Sequence, residues 1–248
     1  MLAFEKGKLQ KVKVFVAAFM ILALIALLIG LIMYPINRTI VNIIILADLI
    51  AILVLCTVVF WQFKVYKGFL IFLALATVFM LFFDGKSVER DIVRNEYVEA
   101  LKRYEGTEYL WGGESIRGID CSGLVRRGLI DAYVKLGAKN FSPQYIRKAV
   151  YLWVNDFSTR VMEDGYEDLF VSIISVEGLN QFDHSMIREG DIMVTENGLH
   201  TMAYIGNDKW IQADPMHEKV IIEKAPSDSN NWYEEPAIIL SWSNLAMP

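Results

Sequence analysis

The stretch GTEYLWGGESIRGIDCSGLVRRGLIDAYVKLG, residues 106–137, places a cysteine where a glycine-rich loop turns into a helix. Apolar residues recur at helical spacing after Cys121, which predicts a helix that begins near Asp120. Arg126 and Arg127 are predicted to lie on the side of the helix that faces away from the core. The predicted apolar face consists of Leu124, Val125, Leu129, Ile130, Val134 and Leu136.

A thiol at a helix N-terminus has a distinctive electrostatic environment. Unpaired backbone N–H groups and the positive end of the helix dipole both favour the thiolate, which is the nucleophilic form. The same N–H groups can bind an oxyanion. We therefore expect Cys121 to be a nucleophile whose thiol ionises below the reference pKa of about 8.5. The alternative is a buried structural thiol on a packed helix.

The N-terminal third of the chain has the composition of membrane-spanning helices. Apolar residues make up 54% of the 248 residues, and three long apolar runs lie at 12–34, 40–61 and 65–83. Each run is near the ~20 residues that a bilayer-spanning helix needs. We expect residues 1–83 to form a three-helix transmembrane region. The alternative is a buried helical core, but soluble helices would show a polar face.

The charge of the chain changes sign at the end of the third apolar run. Residues 1–83 carry seven Lys/Arg and two acids, a net charge of +5. Residues 84–248 carry seventeen Lys/Arg and twenty-seven acids, a net charge of −10. Nucleic-acid binding calls for a basic face, so no nucleic-acid partner is expected. An acidic domain also has no electrostatic reason to lie flat on anionic lipid.

Basic residues near the spans predict the orientation in the membrane. The N-terminus carries four lysines, Lys6, Lys8, Lys11 and Lys13, and the stretch WQFKVYKG around the second connection carries Lys64 and Lys67. The first connection, YPINRT, has only Arg38. Lys86, Arg90 and Arg94 follow the third span and weaken this bias without reversing it. We expect a multi-pass protein of the bacterial cytoplasmic membrane, with its N-terminus inside and its C-terminal domain outside.

A polar residue inside the second span indicates a contact within the membrane. Asp48 lies near the middle of this span, where a carboxyl group seldom faces lipid. We expect it to hold the bundle or an oligomer together, or to dock another membrane protein. Cys56 lies in the same span and is expected to behave as a small apolar group, so Cys56 and Cys121 do not indicate a disulfide framework.

The chain beyond the membrane is predicted to place helices before strands. Helical spacing over 84–105 predicts a juxtamembrane helix with Ser87 as its N-cap, which would form a stalk of ~25 Å. Residues 141–187 are predicted to be mixed and largely helical, with a solvated acidic patch at Glu163, Asp164, Glu167 and Asp168. From residue 190, short β-rich runs alternate with turn residues, which predicts an antiparallel sheet and an α+β domain.

A cysteine nucleophile needs a base, and the base needs an orienting group. Among the three histidines, His184 lies in an irregular region and His217 in a predicted loop, whereas His200 opens a predicted strand just after a turn. We therefore expect His200 to be the base. Gln212 and Asp214 share one face of the next predicted strand, so either side chain is a candidate to hold the imidazole ring.

These motifs resemble the signature of the NlpC-type cell-wall peptidases, which are papain-like cysteine endopeptidases. The resemblance covers roughly residues 90–225. It rests on the order of the Tyr-x-Trp-Gly-Gly loop, the Asp-Cys-Ser-Gly motif, a Gly-Asp strand, a His strand and the polar residue after it. It implies a papain-like α+β domain at residues 106–248, with helices before an antiparallel sheet. It also implies cleavage of the γ-D-glutamyl–diamino acid bond in peptidoglycan stem peptides.

The resemblance implies three catalytic residues. Cys121 matches the nucleophile and His200 the base, while Gln212 falls where the family usually has a second histidine. A neutral amide can fix the imidazole tautomer by hydrogen bonding, but it cannot stabilise the imidazolium ion by charge.

The resemblance also implies residues around the nucleophile. Tyr109 matches the tyrosine that helps form the oxyanion site, and Asp120 and Ser122 match residues that often line the substrate-binding cleft. The interval between the nucleophile and the base is longer than usual in the family, which predicts an insertion near 141–187 that reshapes or covers the cleft.

Three functions remain as hypotheses. The first is a membrane-anchored peptidoglycan endopeptidase, with the lipid bilayer and a peptidoglycan peptide as its partners. The second is a thiol hydrolase or acyltransferase that acts on a lipid or protein at the inner face, although lipid-modifying relatives commonly place His before Cys. The third is a non-enzymatic membrane module with a papain-like binding head. Neither the paired Cys or His spacing of a metal site nor a phosphate-binding loop occurs, so no metal or cofactor is expected.

Overall fold

The structure is a computed structural model that describes residues 2–163 and 168–246. The chain divides into two compact units. The helical unit comprises Met1–Tyr34 and Arg38–Phe82, and the C-terminal unit comprises Pro35–Asn37 and Phe83–Pro248. The connection between the first two helices therefore belongs to the C-terminal unit.

Three helices form the helical unit: α1 (Leu2–Met33), α2 (Thr39–Phe60) and α3 (Lys64–Phe82). The segments Val14–Met33, Thr39–Phe60 and Lys64–Phe82 have mean hydropathies of 3.1, 3.1 and 2.1, and each is long and apolar enough to cross a membrane. Large apolar side chains are exposed around all three helices, which is the pattern that a lipid environment favours. The helices fit the predicted membrane anchor.

Two polar residues of α2 lie inside the helical unit. Asn42 and Asp48 are only 1% and 5% exposed. Neither oxygen of the Asp48 carboxylate has a hydrogen-bond partner among the described residues. A contact of Asp48 with an oligomer or with a membrane-protein partner stays a prediction. Cys56 and Cys121 are both free thiols.

The C-terminal unit combines four helices with a small hairpin and a larger sheet. The helices are α4 (Arg90–Lys102), α5 (Cys121–Lys139), α6 (Pro143–Val154) and α7 (Thr159–Glu163). The hairpin consists of β1 (Glu114–Ser115) and β2 (Gly118–Ile119). The sheet consists of β3 (Phe170–Val176), β4 (Ile192–Thr195), β5 (Thr201–Tyr204), β6 (Lys209–Asp214), β7 (Lys219–Lys224) and β8 (Ala237–Trp242). Its strands are antiparallel in the order β3-β8-β4-β5-β6-β7, so the predicted α+β architecture is confirmed.

Helix α5 lies at the centre of the core, with α4 and α6 packed along it and strands β5 and β6 in contact with it. Helices α4 and α5 approach closely at Gly128. A Cβ atom at this position would lie 2.7 Å from Leu101 Cδ2 and 2.9 Å from Tyr97 Cε2. The absence of a side chain at Gly128 therefore lets the two helices pack at this distance.

Helix α4 differs from the predicted stalk. It begins at Arg90 after the N-cap residue Glu89, so the prediction of Ser87 as the N-cap is wrong. The helix is also part of the core, because one of its faces is buried against α5. The buried apolar side chains on that face are Val93, Tyr97, Val98 and Leu101.

The segment 141–187 is only partly helical. After α6 and α7 it contains β3, which pairs with β8 at the edge of the sheet. The largely helical prediction is therefore wrong for Phe170–Val176, where a run of β-branched residues alternates with serines. Two of the four residues of the predicted acidic patch, Asp164 and Glu167, lie outside the described residues.

Two predicted turns adopt the left-handed backbone that hairpins require. Asn207 and Asp208 have φ angles of 56° and 59°, and Gly198 has a φ of 65°. Consecutive positive φ angles match the right-handed twist of the flanking strands, so the Asn207–Asp208 turn connects β5 tightly to β6. The turn at Gly198 places His200 at the start of β5.

Candidate active site

Cys121 is the first residue of α5, and Asp120 caps the helix. The Asp120 carboxylate accepts hydrogen bonds from the Gly123 N–H at 2.6 Å, the Gly112 N–H at 2.8 Å and the Ser122 hydroxyl at 3.1 Å. Asp120 and Ser122 therefore shape the start of the helix beside the thiol. Burial raises the pKa of the Asp120 carboxyl, while the donated hydrogen bonds oppose that rise.

Gly123 lets the loop before β1 pass over the first turn of α5. A Cβ atom at this position would lie 2.3 Å from the Gly113 carbonyl oxygen, a separation that real Cβ atoms do not adopt. The Asp120 N–H donates to the same carbonyl at 3.0 Å. The glycines of the loop and of the helix thus allow the backbone to close around the nucleophile.

His200 is joined to Gln212 by a short hydrogen bond between neighbouring strands. The distance from His200 Nε2 to Gln212 Oε1 is 2.6 Å, and the two residues are 1% and 0% exposed. With the amide oxygen as the acceptor, Nε2 carries the proton and Nδ1 keeps a free lone pair. This is the tautomer in which Nδ1 can take a proton from a thiol.

The rival orienting residue, Asp214, has other partners. Its carboxylate accepts from the Met216 N–H at 2.7 Å and lies 2.8 Å from His217 Nδ1. The third histidine, His184, accepts from Trp210 Nε1 at 3.0 Å. Among the two candidates that the sequence left open, the structure brings Gln212 and not Asp214 to His200.

The Cys121 thiol is enclosed in this structure. The residue is 7% exposed, and its Sγ lies 3.7 Å from the Thr159 hydroxyl. Burial raises the pKa of the thiol to about 11, with Asp120 adding to the rise and hydrogen bonds from the Thr159 hydroxyl and the Thr201 N–H opposing it. The prediction of a lowered thiol pKa is therefore wrong here, because loss of hydration outweighs the helix dipole.

His200 is enclosed as well. The Trp232 ring stacks on the His200 ring with a centroid distance of 4.4 Å and an interplanar angle of 15°. Burial lowers the pKa of His200 to about 4. At neutral pH the resting site therefore holds a thiol and a neutral imidazole, and no hydrogen bond joins Cys121 to His200 within the described ranges 2–163 and 168–246.

Two residues from the segment 141–187 pack beside Cys121 and His200. Thr159 begins α7, and the next residue, Arg160, packs on the turn before His200. A Cβ atom at Gly198 would lie 2.9 Å from Arg160 Cα. Sequence reasoning missed Thr159 and Trp232 as neighbours of the site, because neither belongs to a motif and only the folded chain brings them there.

Tyr109 lies in the loop before β1 and is half-buried. Its N–H donates to the Glu218 carbonyl at 2.8 Å, which ties the loop to the turn after β6. Burial raises the pKa of its phenol, and the Cys121 thiol and the Asp120 carboxylate add to this effect. A role of Tyr109 in an oxyanion site stays a prediction.

Arg126 is the main departure from the predicted face of α5. It is 3% exposed, and its guanidinium contacts Glu114 at 2.6 Å and Asp156 at 2.7 Å. The prediction that Arg126 faces solvent is wrong, because two carboxylates compensate its charge inside the protein. Val134, assigned to the apolar face, is 46% exposed.

Solved structures of several proteins are similar to this chain. NlpC1 from Trichomonas vaginalis is 16% identical with a TM-score of 0.39, and the match covers 64% of this chain and 46% of NlpC1. The P60 domain of an antigen from M. avium subspecies paratuberculosis is 20% identical with a TM-score of 0.38, covering 61% of this chain and 96% of that domain. The peptidoglycan hydrolase RipB from Mycobacterium tuberculosis is 19% identical with a TM-score of 0.38, covering 60% of this chain and 64% of RipB.

The match to a known family is independent of these structures. None of the curated proteins matches the chain. The sequence pattern of the NlpC/P60 family matches residues 106–237, which is more than half of the 248 residues. This range includes the proposed nucleophile, base and orienting amide. The chain therefore belongs to the NlpC/P60 family and joins that papain-like domain to three apolar helices.

Proposed function

We propose that this protein is a membrane-anchored cysteine endopeptidase that cleaves peptidoglycan stem peptides at the γ-D-glutamyl–diamino acid bond. The observation that carries the proposal is the buried hydrogen-bonded pair of His200 and Gln212, because the N–H of the adjacent Thr201 bonds to the sulfur of Cys121 at the start of α5. Family membership supports the cell-wall substrate, and the three apolar helices support the anchor.

The proposed reaction proceeds through a thioester. His200 Nδ1 takes the Cys121 proton, and the thiolate attacks the carbonyl carbon of the scissile amide. The tetrahedral oxyanion accepts hydrogen bonds from backbone N–H groups at the start of α5 and from Tyr109. Collapse of this intermediate expels the amine, which takes the proton from His200. A water molecule then gives a proton to His200 and hydrolyses the thioester, which restores the thiol.

Gln212 has an orienting role in this scheme. It keeps the proton on Nε2 of His200, so Nδ1 remains basic and can take the proton of the Cys121 thiol. A neutral amide is sufficient for this task in papain-like triads. Substrate entry requires α7 to move, because the Thr159 hydroxyl lies against the sulfur atom.

The test is hydrolysis of a γ-D-glutamyl–diaminopimelate muropeptide by the purified full-length chain in detergent. Cys121→Ala and His200→Ala should each abolish turnover, since neither thioester formation nor proton transfer can then occur. His184→Ala is the matched control and should retain activity, because its ring contacts Trp210 and not the proposed catalytic residues. A wild-type chain without muropeptide turnover, or an active Cys121→Ala variant, would refute the proposal.

The buried thiol favours a second function, a non-enzymatic binding head. A thiol with a pKa raised to about 11 is a poor nucleophile at neutral pH, and α7 covers it. Binding of muropeptide by the wild-type chain with no turnover, and equal binding by Cys121→Ala, would support this function over the endopeptidase.

A further inference from the structure

The connection between the first two helices forms part of the C-terminal unit. Pro35–Asn37 links α1 to α2, yet it groups with the domain that follows α3. The Asn37 N–H donates to the Gly112 carbonyl at 3.0 Å, and the Glu114 N–H donates to the Pro35 carbonyl at 3.0 Å. These bonds form an antiparallel bridge between Ile36 and Gly113, so the tripeptide adds a short strand beside β1.

A side-chain contact reinforces this bridge. The Asn37 amide donates to the Glu114 carboxylate, which is buried at 4% exposure. The same carboxylate accepts from Arg126 Nε at 2.6 Å. Arg126 in turn contacts Asp156 at 2.7 Å. Asn37 therefore donates a hydrogen bond to the buried carboxylate of Glu114, which forms an ion pair with Arg126.

The residues held by the tripeptide also hold the nucleophile. The Gly112 N–H donates to the Asp120 carboxylate at 2.8 Å, and the Asp120 N–H donates to the Gly113 carbonyl at 3.0 Å. Asp120 is the N-cap of the helix that begins with Cys121. A displacement of the loop at 112–114 would therefore move the cap and the backbone donors around the sulfur.

We infer that Pro35–Asn37 is a positioning segment of the active site, so that the membrane-spanning part of the sequence supplies a piece of the catalytic domain. The expected effect of this segment on turnover rests on the proposed endopeptidase function. Asn37 acts through Glu114 and the loop at 112–114, and not by contact with the substrate.

The experiment compares Asn37→Asp and Asn37→Ala in the full-length chain in detergent. Asn37→Asp places a second carboxylate beside buried Glu114, which is unfavourable until one of the pair is protonated. Hydrogen exchange of the Glu114 amide, which depends on the Pro35 carbonyl, should accelerate at least about tenfold at pH 8, the factor expected when a hydrogen bond to a charged group is lost. As the pH is lowered and one carboxyl group takes a proton, exchange in Asn37→Asp should approach the wild-type rate. The rates are first corrected for the pH dependence of exchange in an unstructured peptide.

Asn37→Ala should give a smaller acceleration without this pH dependence, because it removes a donor and adds no charge. In the muropeptide assay, both variants should lower kcat more than they raise KM, since the misplaced groups are the nucleophile and its oxyanion donors. Arg38→Ala is the matched control, because the Arg38 side chain makes no capping hydrogen bond at the adjacent position. It should match the wild type in both measurements.

The outcomes separate this inference from the proposed function. Unchanged exchange at Glu114 and unchanged kcat in Asn37→Asp, with an active wild type, would overturn the positioning role. An inactive wild type that shows the expected exchange pattern would support the structural link between the tripeptide and the loop at 112–114 and overturn the endopeptidase function.

Discussion

Gln212 is the residue that most distinguishes this candidate site from one with a histidine in the third position. Its amide oxygen lies 2.6 Å from the base, and neither group is charged in the resting protein. A negatively charged partner would stabilise the imidazolium ion and raise the pKa of His200. The amide of Gln212 has no charge, and burial lowers the pKa of His200 to about 4. Burial therefore keeps His200 unprotonated over the physiological pH range, and the hydrogen bond to Gln212 opposes this effect only in part.

Replacement of Gln212 tests its orienting role directly. Gln212→Ala should lower muropeptide turnover about 10²-fold, the low end of what a positioned acid–base partner contributes. Gln212→His should retain or raise activity, because an imidazole can also hold the ring of His200. Asp214→Asn is the control and should matter less, since Asp214 contacts His217. Loss of activity in Asp214→Asn together with a silent Gln212→Ala would assign the orienting role to Asp214.

Burial of His200 also predicts a dependence of stability on pH. Below its ordinary pKa of 6.5 the imidazole takes a proton in the unfolded chain, whereas in the folded chain it stays neutral down to about 4. The unfolded state binds more protons in this window, so the free energy of unfolding should fall by up to roughly 3 kcal/mol as the pH is lowered from 6.5 to 4. Thermal unfolding of the full-length chain at several pH values measures this slope.

His200→Gln should remove most of that slope, because an amide does not titrate. His217→Gln, whose side chain is 46% exposed, is the control and should leave the His200 contribution in place. An equal slope in wild type and His200→Gln would show that other groups cause the pH dependence.

Single residues also mark the limit of prediction from sequence. The order of the motifs, which resembles that of the NlpC-type peptidases, predicted that Cys121, His200 and Gln212 lie in one site. Each of these motifs lies at the start of a helix or along a strand. The prediction of a lowered pKa for the Cys121 thiol was wrong. The sequence indicates that the thiol lies at the start of a helix, but it does not show which residues bury the thiol. Thr159 and Trp232 reach the site only through tertiary packing.

At the level of elements, the crossing of α4 and α5 holds the nucleophile's helix in place. The helices meet at Gly128, against the fully buried side chains of Leu101 and Tyr97. Periodicity predicted α4 as a helix, but the sequence did not reveal that its apolar face packs on α5. The same limit applies to β3, whose short alternating run lies among helical patterns and was not recognised as a strand.

Gly128→Ala should weaken this crossing. Its Cβ would lie 2.7 Å from Leu101 Cδ2, and a fully buried leucine has little room to move. Overpacking of this kind lowers the free energy of unfolding by about 1–3 kcal/mol. Chemical denaturation of the C-terminal unit within the full-length chain measures the loss.

The control is Val134→Ala, an exposed position on the same helix, which should change the free energy of unfolding by less than about 0.5 kcal/mol. Adding Leu101→Val should recover part of the loss in Gly128→Ala, and purely additive effects would contradict the proposed contact.

For the whole molecule, the division of charge accompanies the division into two units. The three apolar helices lie in the part with a net charge of +5, and residues 84–248 carry −10. Basic residues concentrate in the first part of α1 and in the first turn of α3, which predicts that the C-terminal domain lies outside the cytoplasmic membrane. The endopeptidase function requires this orientation, whereas the inner-face hydrolase requires the reverse.

Cysteine labelling tests the orientation. In a background with Cys56→Ala and Cys121→Ala, Asn197→Cys should react with a membrane-impermeant maleimide on intact spheroplasts. Gln62→Cys, in the connection between α2 and α3, is the matched control and should react only after lysis. Both positions are exposed, so accessibility within the protein does not separate them. The reversed labelling pattern would favour the inner-face hydrolase.

The enclosure of Cys121 also affects how long the sulfur survives unused. Peroxide attacks the thiolate far more readily than the thiol, and a domain outside the cytoplasmic membrane has no glutathione pool to reverse the resulting sulfenic acid. A sulfur held as a protonated thiol beneath α7 forms little thiolate for peroxide to attack. In the proposed endopeptidase, this enclosure would keep the Cys121 sulfur in its reduced form until a substrate displaces α7.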